Sequence, residues 1–483
     1  MLTYHLEESG DIPKYIYLYQ LIRNDIIAGK IKGGERLPSK RAFASHLNVG
    51  NITVANAYDQ LVAEGYIYSE ERKGYFVEHG LKSISATDQP SSENEDINEK
   101  GTDVPPSNPD EEEEHEFFAD FNSNRINLDL FPKSVWNQLM RQTLDQRNET
   151  LYRTIPYKGL FELRKAIADY LHYNRGMTVS PSQIIVGAGT EYLYGRLSQM
   201  FGRACTFGFE DPGYKTLAAL VASYGSPCRF ISMDENGIMM DELEDSGADV
   251  VHISPSNHFP TGTIMSIGRR RELLDWSYKA RKRYIIEDDY DSEFHYKGTY
   301  IPPLYTIDTQ EKVIYMNTFS KTMIPALRIS YMVLPKKLME RYKDTLSFYS
   351  CSVSSFEQHT LAKFMSEGYL ERHINRLKTY YSSLRKKVLE AIRSSRLNDI
   401  TDIVEHGSGT HMLLYVRTTL TEEEIVEAKS KLDIQFKMYS SYSQKAPGPE
   451  DPRILVLNYA GINTEKLEDM IARLEQIFPE CRK

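Results

Sequence analysis

Along the first eighty residues the apolar positions change period. In YIYLYQLIRNDIIAG they recur at helical spacing and stop at Gly29, and a second helical stretch opens behind Leu37-Pro38-Ser39, with Ser39 as its cap. A third helix is expected from Asn51 through TVANAYDQLVAEG, ending at Gly65. YIYSEERKGYFVEHG then alternates around a turn at Arg72-Lys73-Gly74, the period of a hairpin. Three helices and a hairpin predict a winged helix-turn-helix over residues 1–80.

The pattern then lapses. Residues 81–116 are rich in Ser, Pro, Asn, Asp and Glu and almost free of aliphatics. Such a stretch buries too little apolar surface to offset the entropy of ordering, so it reads as a flexible acidic linker. From residue 117 to 483 apolar runs of strand length alternate with helical patterns: QIIVGAG, ACTFGFEDPG, ADVVHISPS, YIIEDDYD and KVIYMNTFS are the strand candidates. That alternation predicts an α/β domain with a mostly parallel sheet. From about residue 356 long helical patterns lead to GTHMLLYV and RILVLNYAG, expected to form a smaller α+β subdomain.

Composition narrows the class. A chain of 483 residues exceeds one core of ordinary size, and its 41% hydrophobic and 26% charged residues suit a globular protein. The four cysteines have neither metal-ligand nor redox spacing, no leader-like start is present, and no apolar run reaches membrane-spanning length. A cytoplasmic protein without a metal site is expected. A net charge of −10 argues against indiscriminate nucleic-acid binding by the whole chain, but leaves room for a local basic patch.

Such a patch is present in the first segment. Lys40 and Arg41, at a helix start behind Ser39, can contact phosphates and base edges. Asn51, Thr53 and Asn56 share the face that a recognition helix turns into the major groove, and Arg72 and Lys73, beside Gly74, can reach DNA from a wing. For a lone Lys-Arg pair, an ordinary solvated face is the simpler reading.

In the second segment, NTFSKTMIPALRIS places Lys321 between small hydroxyl residues and Arg328 seven positions on. That order suits a phosphorylated aldehyde such as pyridoxal 5'-phosphate: Lys321 for the aldehyde carbon, with Thr318, Ser320 and Arg328 for the phosphate. Asp288, coming off an apolar strand, can face the ring nitrogen, and Tyr290 can bond the 3'-oxygen. The amides of Ala188, Gly189 and Thr190 open a helix and form an anion site. Tyr214 can stack on the ring, and Asn257 can touch the 3'-oxygen. Taken singly, each has a plainer reading: a solvated lysine, an exposed acidic turn, a packed tyrosine.

Taken together they carry a resemblance. LPSKRAFASHLNVGNITVANAYDQLVAEGYIYSEERKGYFV resembles the GntR-type winged helix, although Val49-Gly50-Asn51 stands where that family often has Val-Ser-Arg. The glycine loop, Tyr214, Asn-x-x-Pro-Thr-Gly, Asp-x-Tyr and Ser-Lys-x6-Arg, in that order, resemble the fold-type I aminotransferases over roughly residues 117–483. Joined by a long linker, the two halves resemble the MocR/GabR transcriptional regulators over the full chain. The resemblance implies promoter DNA as a partner, pyridoxal phosphate held through an internal aldimine, and a head-to-tail, domain-swapped homodimer. It also implies a sensor for pyridoxal phosphate itself, as in PdxR-type members that control vitamin B6 synthesis, or for a small amine or amino acid.

An aminotransferase that carries a DNA-binding module is the alternative. Transaminases and amino-acid-sensing relatives carry an arginine near the C-terminus for the ligand carboxylate. Here Gly461 stands at the aligned position, and Arg453 is about 25 Å away at ~3.3 Å of rise per residue. Efficient transamination is therefore not expected.

Overall fold

The computed structural model describes residues 3–4, 6, 13–70, 73–79, 117–122, 127–145, 149–296, 302–405, 407–446, 448 and 451–482. The chain divides into two units, Met1–Asp110 and Glu111–Lys483. The linker expected over 81–116 lies outside the described residues, as does Arg72.

The first unit consists of helices α1 (Lys14–Ile27), α2 (Lys40–His46) and α3 (Asn51–Ala63), followed by strands β1 (Ile67–Glu70) and β2 (Gly74–Val77). The strands pair antiparallel, with Ile67 opposite Val77 and Glu70 opposite Gly74. Leu18, Ile22, Phe43, Val54, Tyr58 and Leu61 are fully buried together. Each such side chain stabilises the unit by about 1.5–3 kcal/mol on burial. The Tyr58 hydroxyl donates to the Pro38 carbonyl at 2.9 Å, so the buried ring keeps its polar tip satisfied. α2 begins where the Ser39 side chain accepts the Ala42 N–H at 3.3 Å. α3 has Gly50 at its N-cap and no side-chain cap.

The second unit is layered around an eight-stranded sheet. In chain order its strands are β3 (Ala119–Asp120), β4 (Ile184–Gly187), β5 (Phe207–Asp211), β6 (Cys228–Asp234), β7 (Gly237–Ile238), β8 (Val250–Ile253), β9 (Tyr284–Asp288), β10 (Val313–Thr318) and β11 (Ser330–Val333). The large sheet runs β4-β11-β10-β9-β8-β5-β6-β7. β10, β9, β8, β5 and β6 are parallel, whereas β11 runs antiparallel between β10 and β4. IIVG, VVHI and SYMV are buried at every position, as expected of strands covered on both faces.

The smaller subdomain adds β12 (Thr401–Val404), β13 (His411–Val416), β14 (Ile434–Gln435), β15 (Lys437–Met438) and β16 (Arg453–Asn458). β12, β13, β16 and β15 form an antiparallel sheet in that order, and β14 pairs with β3. The 26-residue helix Tyr369–Ser394 sends Leu377, Tyr381, Leu384, Val388 and Ile392 into the same core as Leu414, Leu455 and Leu457. No helix among the described residues is long and apolar enough to cross a membrane.

Candidate functional site

The parallel strands deliver their carboxyl ends to one side, the position at which open α/β sheets hold ligands. A cavity of about 480 Å³ lies there, between these ends and the small subdomain. It is bounded by Glu210 of β5, His252 of β8, Asp288 of β9 and Thr318 of β10. Ser320, Lys321 and Arg328, on the connection from β10 to β11, line it, as do His411, Lys437, Val456 and Asn458 of the small subdomain. Tyr214, Tyr290 and Thr190 also line it. Eight of the eleven expected cofactor contacts therefore meet at one cavity, with Ala188, Gly189 and Asn257 outside its lining.

The loop geometry explains why these residues converge. Thr318, the last residue of β10, donates to Ser320 Oγ at 3.0 Å and accepts from Ser330 Oγ at 2.8 Å and from the Ser320 N–H at 3.2 Å. Thr318 is thus a brace, and the Ser320 hydroxyl proton is left free to meet a ligand oxygen. Arg328 adopts the left-handed conformation (φ 49°, ψ 37°), which costs a non-glycine residue about 1–2 kcal/mol. Its Nη2 pairs with Glu191 Oε2 at 2.6 Å. The guanidinium packs so closely over Gly189 (φ 93°) that a Cβ there would overlap it. Glycine is required at that position on both counts.

Three contacts differ from the expectation. The Ala188 N–H donates to Ser352 Oγ at 3.1 Å, and the Gly189 N–H donates to the Gly187 carbonyl at 2.9 Å. Both amides are committed inside the protein, and of the three residues only Thr190, the first of helix Thr190–Phe201, reaches the cavity. Asn257 donates to Asp291 Oδ2 at 2.7 Å and accepts from Ser408 at 3.0 Å, so its amide braces Asp291 instead of facing the cavity. Gly461 also lies outside the lining. It follows β16, whose cavity-facing positions are Val456 and Asn458, two apart on one face of the strand.

Several groups in the cavity carry no obvious sequence signal. His252 sits inside the apolar run VVHI, with Nε2 3.6 Å from Asp288 Oδ2 and its ring against Tyr194 and Phe209. The buried His252 Nε2 finds no hydrogen-bond partner among the described residues, and the Tyr290 hydroxyl lies beside Asp291. Burial pushes Glu210 up to about 8, against the N–H of Ser254 at 3.0 Å, and burial also drives His258 down to about 3, with His252 and His411 adding to the shift. The pair they form, 3.5 Å apart, is therefore neutral near pH 6. Lys321 is lowered by burial, against the pull of Asp291, and Asp291 is itself raised, chiefly by burial. Both shifts favour a neutral, nucleophilic amine.

On the first unit, Arg41, Asn51 and Asn56 are exposed and Thr53 is half-buried. Ser39 spends its oxygen on the cap. Lys40 pairs with Asp59 at 2.9 Å and lies 5.0 Å from the Tyr75 ring centroid, and Lys73 pairs with Glu70 at 2.8 Å. Two of the expected cations thus have intramolecular partners. Gly74 takes φ 115° beside Arg36, an exposed cation that motif reading passed over. Ile52, 76% exposed on the first turn of α3, was also missed.

Fold and cavity together define a class: an α/β domain of the aminotransferase type, in a chain that also carries a winged helix. Residues 119–474 match the family "Aminotransferase class I and II", whose cofactor is pyridoxal phosphate, and residues 14–77 match "Bacterial regulatory proteins, gntR family". The chain is 36% identical to the HTH-type transcriptional regulator YdeL of Bacillus subtilis, covering 98% of each protein. It is 28% identical to the pyridoxine biosynthesis transcriptional regulator PdxR of Corynebacterium glutamicum, covering 78% of each. Among solved structures it superposes on the kynurenine aminotransferase of Pyrococcus horikoshii with a TM-score of 0.66 at 20% identity, over 75% of this chain and 91% of that one. The chain belongs to the MocR-type transcriptional regulators, in which a gntR-type domain precedes a class I and II aminotransferase domain.

Proposed function

We propose that this regulator binds promoter DNA through its first unit and that its affinity for DNA is set by pyridoxal phosphate held at Lys321. When bound, pyridoxal phosphate supplies an aldehyde carbon to which a lysine amine can attach covalently and reversibly, with loss of water. Lys321, whose amine burial favours in the neutral form, would be the residue that holds that carbon. Ser320, Thr190 and Arg328 hold the phosphate, and Asp288 holds a proton on the ring nitrogen. Tyr290 donates to the 3'-oxygen, and Tyr214 covers the ring.

The observation that carries this reading is the convergence of Lys321, Asp288, Ser320 and Arg328 on one cavity, together with a buried His252 Nε2 there that has no hydrogen-bond partner among the described residues. Leaving such a group unsatisfied costs about 1–3 kcal/mol, which a ligand offering partners would relieve. The name of the PdxR relative supports pyridoxal phosphate as the signal and control of vitamin B6 synthesis as the output. Two chains acting as a homodimer would present two recognition helices to adjacent half-sites. The enzymatic alternative has less support: the positions of β16 that face the cavity hold Val456 and Asn458, so the strand offers no guanidinium for an amino-acid carboxylate.

The test is Lys321→Ala. It is expected to abolish the absorbance of lysine-bound cofactor and to uncouple DNA binding from pyridoxal phosphate; survival of that absorbance would refute the lysine assignment.

A further inference from the structure

We propose that Ile52 selects a base in the DNA site, packing its side chain against the 5-methyl group of a thymine in the major groove. The proposal rests on the reading of the first unit as the promoter-binding part of the chain and adds to it one base that the unit distinguishes.

α3 turns Val54, Ala57, Tyr58 and Leu61 into the core of the first unit and leaves Asn51, Ile52, Asn56, Asp59 and Gln60 exposed. Ile52 is 76% exposed, about twice as much as Tyr15, Ile27 and Val62, the other large apolar side chains that the described residues of this unit show to solvent, at 37–39%. It belongs neither to the core nor to the partly buried side chains packed against it. Helix formation does not account for it either, because a β-branched residue is a weaker helix former than alanine. A lone exposed isoleucine is ordinary on most surfaces. This one sits on the first turn of α3, and the N-terminal residues of the second helix of a helix-turn-helix are the ones that meet base edges.

The major groove presents hydrogen-bonding groups and one apolar group, the thymine methyl. Ile52 is complementary to that group and to no other on a base edge. Its surroundings suit an A·T pair as well. Asn56 lies four residues on, one turn along the same face, and its amide can bond adenine N6 and N7. α3 contains no arginine or lysine, so the side chains that most often read guanine are missing from it. The N-cap is Gly50, whose lack of a side chain leaves the first turn room to approach the groove floor.

The test uses the full-length protein and duplexes that it selects from a randomised pool, with and without pyridoxal phosphate. Each thymine of the selected half-site is replaced in turn by uracil, which removes the 5-methyl group and leaves the pairing edge unchanged, and affinity is read by fluorescence anisotropy. At one or more thymines per half-site the wild type should lose about 4-fold in affinity, the value of one buried methyl-sized contact. Ile52→Ala should bind the thymine duplex about 4-fold more weakly and show no further loss on uracil at one of those positions, whereas Ile52→Val should keep most of the discrimination. A wild type indifferent to every thymine methyl, or methyl effects that all survive Ile52→Ala, would overturn the proposal. Failure of the DNA-binding reading would look different, because the selection would then recover no preferred sequence, and the proposal would fall with it.

Discussion

Gly189→Ala is the substitution that most sharply separates a phosphate cup from an ordinary turn. Gly189 has φ 93° and ψ 166°, a region that is essentially restricted to glycine, and a Cβ there would overlap the Arg328 guanidinium and press on Glu191 Oε2 at 3.0 Å. The backbone term alone is about 1–3 kcal/mol. If the arginine is displaced, the phosphate loses a contact to a charged group worth roughly 1.5–3 kcal/mol, about a 10- to 100-fold weakening of cofactor binding. Gly247→Ala is the matched control: φ is 69° there, and nothing lies within 4 Å of the added carbon. It should lower the melting temperature without changing cofactor affinity. Both variants would be titrated with pyridoxal phosphate by absorbance and melted by circular dichroism. If Gly189→Ala lost stability but bound the cofactor as tightly as the wild type, Arg328 and the glycine turn would not form the phosphate site.

Other substitutions probe the rest of the account. Tyr290→Phe removes the hydroxyl assigned to the 3'-oxygen, so cofactor affinity should fall roughly 10-fold, read by absorbance titration. Glu210, raised by burial from 4.5 to about 8, contributes stability that is fully present below its ordinary range and is lost as pH rises through about 8. Melting curves at increasing pH should therefore fall more steeply for the wild type than for Glu210→Gln, by a few kcal/mol at ~1.4 kcal/mol per pH unit; parallel curves would refute the burial argument. On the DNA face, Arg41→Ala should weaken binding and reduce the salt slope by about 1. Lys40→Ala, which removes a cation already paired with Asp59, should change the slope less.

Much of this arrangement was legible in the sequence because it depends on local periodicity. The helices around Leu18, Phe43 and Tyr58 and the strands IIVG, VVHI and YIIED could be read from spacing, since each buries a repeating set of side chains. β6 was not recognised: in CRFISMD, Ile231 alone is fully buried and three residues are exposed, so neither alternation nor a continuous apolar run marks it. The antiparallel insertion of β11 depends on pairing with β4, which no local pattern encodes. Residue types for a cofactor site could be listed from motif order, but hydrogen-bond allegiance could not. Asn257 looked free in the sequence and proves to be bound to Asp291 and Ser408, the latter 151 residues away. Lys437 belongs to no motif; it faces the cavity because β15 pairs with β16. The alignment to Gly461 missed Val456 because strand alternation, not distance along the chain, decides which residue faces the ligand.

The central claim is coupling between cofactor occupancy and DNA affinity. It is tested most directly by titrating cofactor-free protein with pyridoxal phosphate while recording lysine-bound absorbance and binding to its own upstream DNA in the same samples. A tenfold change in DNA affinity corresponds to about 1.4 kcal/mol of coupling. The account predicts that DNA affinity changes in proportion to the absorbance and that Lys321→Ala shows neither change; full cofactor loading at constant DNA affinity would contradict it.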